Sequence, residues 1–234
     1  FITTELSLRW ATESERVQRA TWARRLSMVI RFAVWLSGFD PRTEVPPRGL
    51  IEARHRRTKP HIFTHQEIEQ LMAEASRLPS PTGLRALTYG TLIGLLAATG
   101  LRPGEAPALD VHDVDLTNGI LAIRQTKFGK SRFVPVDNST SEALAHYAKQ
   151  RDELCPRRET GAFLLSERGK RLDQFATRRT FAKLSCSIGL RKTTEGRRIG
   201  RGPRLQDLRH TFATQRLMEW YRAGLNVERE MPKL

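Results

Sequence analysis

The sequence predicts a mainly α protein with one small antiparallel β-sheet. Apolar residues recur at helical spacing over most of the 234 positions, and only one stretch, Ile120 to Val136, reads as paired strands around a glycine turn. Capping signals and Gly or Pro stops divide the helical stretches into separate elements.

In the first forty residues, Val17, Trp22, Leu26, Val29, Ile30, Ala33 and Leu36 share a face, which predicts a helix over 15–37 ended by Gly38 and Pro41. A shorter helix near 4–12 precedes it. Two helices are too few for an independent core, so residues 1–45 read as the remnant of a larger helical domain or as a module that docks elsewhere. Pro41, Pro46, Pro47 and Pro60 then alternate with Arg48, Arg54, Arg56, Arg57 and Lys59. That composition makes 46–62 an extended basic connector, either laid along a phosphate backbone or simply a solvated tether.

A second domain, 63–234, opens at Thr64 and Glu67, a capping box ahead of Ile68, Leu71, Met72 and Ala75. The uncharged run Ala86–Leu101 is shorter than the roughly 20 apolar residues that span a bilayer, so it reads as a core helix stopped by Gly100. Pro103 starts a short helical turn in which Pro107 must fall early, because it has no N–H to donate. Asp110–Asn118 is acidic and turn-rich, and the hairpin follows it. Ser139 and Glu142 form a second capping box for a helix to Leu154, and a brief strand is expected at Ala162–Leu165. Asp173–Ile188 is helical. The loop Arg191–Arg204 holds six Arg or Lys against one Glu, a charge that calls for an anion. Leu205–Ala223 is the last long helix, its apolar side marked by Leu208, Phe212, Leu217 and Trp220, with Gly224 as its stop.

Charge narrows the function. Forty Lys and Arg against 25 Asp and Glu leave +15, which points to a polyanionic partner. With 39% hydrophobic and 28% charged residues the chain is globular, which excludes disordered and collagen-like classes. A basic RNA-binding protein is disfavoured, because no aromatics interleave with the basic residues as stacking platforms do. Cys155 and Cys186 make neither a disulfide framework nor a zinc spacing, and no secretory signal is visible, so a reduced, cytoplasmic protein is expected. Because the chain opens at Phe1 and not Met, and closes without a tail-like composition, both ends read as truncations.

Three cationic residues sit in separate elements: Arg102 past a helix stop, Lys127 in the hairpin turn, and Arg209 in the last helix. Alone, Arg102 is as well explained as a surface or C-cap residue, and Lys127 as a solubility charge. Arg209 differs: its neighbours Leu208 and Phe212 face the core, where a guanidinium needs a partner. Together these residues resemble the tyrosine recombinases, or phage integrases. Ala98-Thr-Gly-Leu-Arg102-Pro-Gly-Glu105 is similar to that family's first box. The hairpin with Thr126-Lys127 and Arg132-Phe-Val-Pro135 follows at the usual distance, and Leu205-Gln206-Asp-Leu-Arg209-His210-Thr-Phe-Ala213 resembles the second box. The resemblance covers Ile62–Leu234 well and the N-terminal helices more loosely.

The resemblance implies a tyrosine-recombinase catalytic domain, the DNA breaking-rejoining fold, preceded by part of a helical, SAM-like core-binding domain. It implies phosphoryl transfer without a metal or other cofactor, on double-stranded DNA, by an oligomer of a bacterial or phage-derived protein. Arg102 and Arg209 would hold the non-bridging oxygens of one phosphate, as planar, bidentate guanidiniums can. Lys127, with Lys130 as runner-up, would protonate the leaving 5′ oxygen. Glu105 would orient an arginine, and His210 would be structural. Sequence-independent phosphate contacts are expected from Arg54, Arg56, Arg57 and Lys59, from Lys130 and Arg132, and from Arg197, Arg198, Arg201 and Arg204. The sequence departs from the family twice. Gln206 stands where the second box has His; it can hydrogen-bond a phosphate and cannot shuttle a proton. The third box and its nucleophilic tyrosine are missing, and none of Tyr89, Tyr147 and Tyr221 suits that role, which leaves a DNA-binding module without catalysis as the alternative.

Overall fold

The computed structural model describes residues 1–15, 17–53, 59–124, 129–193 and 201–231. The chain divides into two compact units, Phe1–Lys59 and Pro60–Leu234. In the first unit, α1 (Thr4–Thr12) and α2 (Arg19–Ser37) pack through Ala11, Leu26 and Ala33, all buried. Helix α2 starts four residues later than its periodicity suggests, because Trp22 Nε1 donates to the Ser14 carbonyl and folds the incoming chain against the first turn.

The second unit carries α3 (His65–Ser76), α4 (Leu84–Thr99), β1 (Val114–Asp115), β2 (Ile120–Ile123), β3 (Arg132–Pro135), α5 (Asn138–Leu154), α6 (Gln174–Ser187), α7 (Leu205–Arg222) and α8 (Val227–Glu230). Helix α3 has the expected cap: Thr64 Oγ1 accepts from the Glu67 N–H, and Glu67 Oε2 accepts from the Thr64 N–H. Helix α4 is apolar on most sides and is therefore central. Its Leu92, Ile93, Leu95 and Leu96 join a core with Leu71 of α3, Tyr147 of α5, Phe181 of α6 and Leu208 of α7. No described helix is long and apolar enough to cross a membrane.

The sheet is antiparallel in the order β1-β2-β3, with Leu121 opposite Val134 and Ile123 opposite Arg132. The expected hairpin is therefore present. The acidic stretch before it adds a short third strand, Val114 pairing with Leu121.

Two local expectations are corrected. The cap of α5 is Asp137 and not Ser139: Asp137 Oδ1 accepts from the Thr140 N–H at 2.7 Å, while Ser139 lies inside the first turn and donates its hydroxyl to the same oxygen. A carboxylate is the stronger acceptor for an unpaired helical N–H. Ala162–Leu165 makes only single bridges, Asp110 with Ala162 and Leu165 with Arg171. Its buried N–H groups are satisfied elsewhere, Phe163 by the Leu109 carbonyl at 2.8 Å and Leu165 by the Tyr147 hydroxyl at 3.0 Å, so it needs no strand partner. Pro107 falls at the second position of a 3₁₀ turn, Ala106–Ala108, where it breaks no hydrogen bond.

Candidate functional site

The site is built on the corner where α4 ends. Gly100 closes that helix at φ +62°, a left-handed conformation that favours glycine, and a Cβ there would lie 2.4 Å from Phe212 Cδ1. The absent side chain lets α7 seat directly on the corner. Arg209, one turn before Phe212, then donates from Nη1 to the Gly100 carbonyl at 2.6 Å. Arg102, two residues beyond Gly100, and Arg209, from a helix more than a hundred residues later, thus meet at one place.

A single carboxylate organises the corner. The Arg102 N–H donates to Glu105 Oε2 at 2.9 Å, and Arg102 Nη1 donates to Oε1 at 2.8 Å. From β3, Arg132 donates Nη1 to Oε1 at 3.0 Å and Nη2 to Oε2 at 2.7 Å. Glu105 is 9% exposed. Burial pushes its carboxyl up, but the hydrogen bonds from Arg132 and Arg102 outweigh that and hold it at about 2. Burial also pulls the half-buried Arg209 guanidinium below its ordinary value, and the positive charges of Arg102 and Arg132 add to this while Glu105 opposes it. Two guanidiniums bonded to one carboxylate, with a third beside them on the Gly100 carbonyl, leave the corner with an excess positive charge matched to an anion.

Beside the corner runs a cleft of about 690 Å³ lined by Arg102, Gln174, Arg178, Arg191, Arg204 and Gln206, over apolar residues that include Leu109, Ile123 and Phe181. Gln206 is half-buried one turn before Arg209 and faces this cleft, whereas His210 is exposed. Arg204 precedes α7, and its N–H and guanidinium both donate to the buried Asp207. Lys59, Lys130 and Arg201 are exposed. Lys127, Arg54, Arg56, Arg57, Arg197 and Arg198 lie outside the described residues.

Gln174 and Arg178 escaped the sequence reading. They are four apart on α6 and share a face, and Gly104 lets that helix approach: a Cβ on it would lie 2.9 Å from Gln174 Nε2. The only available signal was a polar face on an otherwise buried helix. Arg191 was read only as loop charge; its guanidinium donates to the Pro203 carbonyl, which folds the end of that loop back toward α7.

The three tyrosines stand apart from the corner. Tyr147 is fully buried, its hydroxyl bonded to Thr88 Oγ1 and to the Leu165 N–H. Tyr89 is 5% exposed. Tyr221 is exposed, but twelve residues beyond Arg209 on the same helix it lies about 18 Å along the axis. Asp110, His112 and Asp113 bring ligand-type atoms within 4.8 Å of one another. Both carboxylates are engaged by arginines, Asp110 by Arg171 and Asp113 by Arg124, so the group is a clamp on the segment before β1.

Comparison with known proteins gives the family and the fold. Residues 61–225 match the phage integrase family. A Sinorhizobium fredii protein named as an integrase/recombinase, y4rB, is 44% identical over the whole of this chain, which spans 74% of that relative's length. The Tn1549 transposon integrase in complex with transposon right end DNA has the same fold, with a TM-score of 0.64 at 17% identity over 97% of this chain and 75% of that one. So does a lambda integrase tetramer bound to a Holliday junction, with a TM-score of 0.61 at 16% identity over 91% of this chain and 59% of that one.

Proposed function

The chain belongs to the phage integrase family, and from that premise we propose that its corner is the phosphate clamp of a site-specific DNA recombinase. The observation that carries this reading is the meeting of Arg102 and Arg209 at Gly100, with Arg209 bound to the Gly100 carbonyl and sensing the charge of Arg102. Two guanidiniums at one place hold the non-bridging oxygens of a phosphodiester and stabilise the charge of its pentacoordinate transition state. Gln206, facing the adjoining cleft one turn before Arg209, adds a neutral donor to the same phosphate. Glu105 fixes Arg102 and takes no proton in the reaction, since its carboxyl stays ionised far below neutral pH. Lys127 is the general acid for the leaving 5′ oxygen in this reading.

A tyrosine hydroxyl attacks the phosphorus and forms a 3′-phosphotyrosyl intermediate. None of Tyr89, Tyr147 and Tyr221 stands where it can do so, so the reading takes the nucleophile from outside these 234 residues. The partner is duplex DNA, engaged in the cytoplasm by an oligomer on paired sites; the tetrameric lambda integrase complex supports such an assembly. The glutamine at 206 and the distance of all three tyrosines favour one second reading, a module that occupies recombination sites without cutting them.

Covalent trapping on nicked duplex DNA, with the product of the whole reading frame, separates the two. We expect a protein–DNA adduct that Arg209→Ala reduces by about 10³-fold or more while DNA affinity falls less than tenfold. Trapping that survives both Arg102→Ala and Arg209→Ala sinks the clamp. Tight binding with no adduct from the unaltered protein selects the non-cutting module.

A further inference from the structure

We propose that Arg132 is a positioning residue that keeps Glu105 from capturing Arg102, and not itself a phosphate contact. The inference rests on the clamp reading above and changes the place of one residue in it: the sequence puts Arg132 among the cations that touch DNA, and the structure turns its guanidinium inward.

An ionised carboxylate offers about four lone-pair sites. At Glu105 four N–H groups fill them, two from the Arg132 fork, one from the Arg102 backbone and one from the Arg102 side chain. Arg102 therefore gives Glu105 only one of its five side-chain donors, and its side chain stays 45% exposed. Arg132 commits both terminal nitrogens and is the more covered of the two, at 35%.

Glu105 is buried, so removing Arg132 leaves its carboxylate short of two hydrogen-bond donors. Arg102 is the remaining cation already bonded to that carboxylate, while Arg209 donates to the Gly100 carbonyl. A fork-to-fork pair with Glu105 would satisfy the carboxylate and withdraw from the phosphate the guanidinium that the clamp requires. Arg132 has a second effect through its strand. It pairs with Ile123 at the end of the sheet nearest the hairpin turn, so its bond to Glu105 fastens the hairpin to the Arg102 corner.

Salt dependence of binding distinguishes positioning from contact, because each phosphate neutralised contributes about 0.9 to the slope of log K against log salt. Binding of the full chain to a duplex oligonucleotide is measured across salt for the unaltered protein, Arg132→Gln, Arg132→Lys and Arg132→Gln/Glu105→Gln. A control of equal net charge is Arg132→Gln/Glu69→Gln, with Glu69 exposed on α3. If Arg132 positions Arg102, Arg132→Gln lowers the slope by about 0.9 and the affinity about fivefold, since Arg102 is captured. Removing Glu105 as well frees Arg102 and restores the slope, whereas the Glu69 control does not. Arg132→Lys, which keeps the charge and loses the fork, behaves like Arg132→Gln.

If Arg132 touches phosphate directly, the lysine variant keeps the slope and the Glu105 double variant stays as low as the control; that pattern overturns the proposal. Should Arg132→Gln fail to fold, the lysine and Glu105 double variants decide alone, because the first keeps a positive charge at position 132 and the second removes the buried carboxylate. An unaltered chain with no salt-dependent affinity for duplex DNA overturns the clamp reading itself, and this inference with it.

Discussion

At the scale of single residues, two carboxylates that each accept four hydrogen bonds, Glu105 and Glu167, do unlike work. Glu105 gathers arginines at the candidate site. Glu167 sits in the turn before α6 and ties down the start of α4, accepting from the Thr82 N–H at 2.7 Å and the Arg85 N–H at 2.9 Å, and from the hydroxyls of Ser80 and Thr82. An acid at a helix N-terminus satisfies unpaired N–H groups and complements the helix dipole. Burial raises the Glu167 carboxyl, but these bonds bring it down to about 2 from its ordinary 4.5. The folded-state value lies below the unfolded one, so the stabilisation is complete above about pH 4.5 and is lost as pH falls toward 2. We expect Glu167→Gln to cost about 1–2 kcal/mol at pH 7, a figure discounted for the partial exposure of the group, and the gap to the unaltered protein to close between pH 4.5 and 2. Urea denaturation at stepped pH reads this directly; a gap that does not change with pH removes the charge from the explanation. No local pattern announces Glu167, because its partners lie more than eighty residues away.

At the scale of elements, legibility followed the range of the interaction. The capping box of α3, the glycine stop of α4 and the hairpin could be read because each is decided within a few residues. The start of α5 misled for an equally local reason. Asp137-Asn-Ser139-Thr-Ser-Glu142 offers several possible caps in a row, and Ser139 with Glu142 fits the commoner spelling, while Asp137 brings the stronger acceptor. Ala162–Leu165 misled because its apolar run looks like a strand, yet its N–H groups are taken by Leu109 and by Tyr147, neighbours that only the tertiary fold supplies. The α5 correction has a direct check. Asp137→Ala should destabilise the protein by about 1 kcal/mol, and Ser139→Ala by no more than a few tenths, both by chemical denaturation. The reverse order would return the cap to Ser139.

At the scale of the whole molecule, the sequence located both arginine boxes but not what joins them. Arg102 and Arg209 stand out by spacing and by the apolar company of Arg209, whereas the Gly100 carbonyl that unites them and the Glu105–Arg132 pair beside it are products of packing between α4, α7 and β3. That packing belongs to one unit. The large core cluster draws its members from between Phe63 and Leu208, and the candidate corner, from Gly100 to Arg209, belongs to the same unit. Among its described residues the first unit buries the hydrophobic side chains of Ala11, Leu26 and Ala33, and it leaves Met28, Phe32, Trp35 and Phe39 of α2 and its C-terminal flank exposed. A core so small supports no cooperative transition of its own, since chains of this length already bury too little surface to be more than marginally stable. The fold and the corner should therefore survive without it. Residues 60–234 expressed alone should melt cooperatively within a few degrees of the full chain, while residues 1–59 alone should show no cooperative transition by calorimetry. If the excised larger unit loses its transition, the corner depends on residues 1–59, and packing within residues 60–234 alone does not bring Arg102 and Arg209 together.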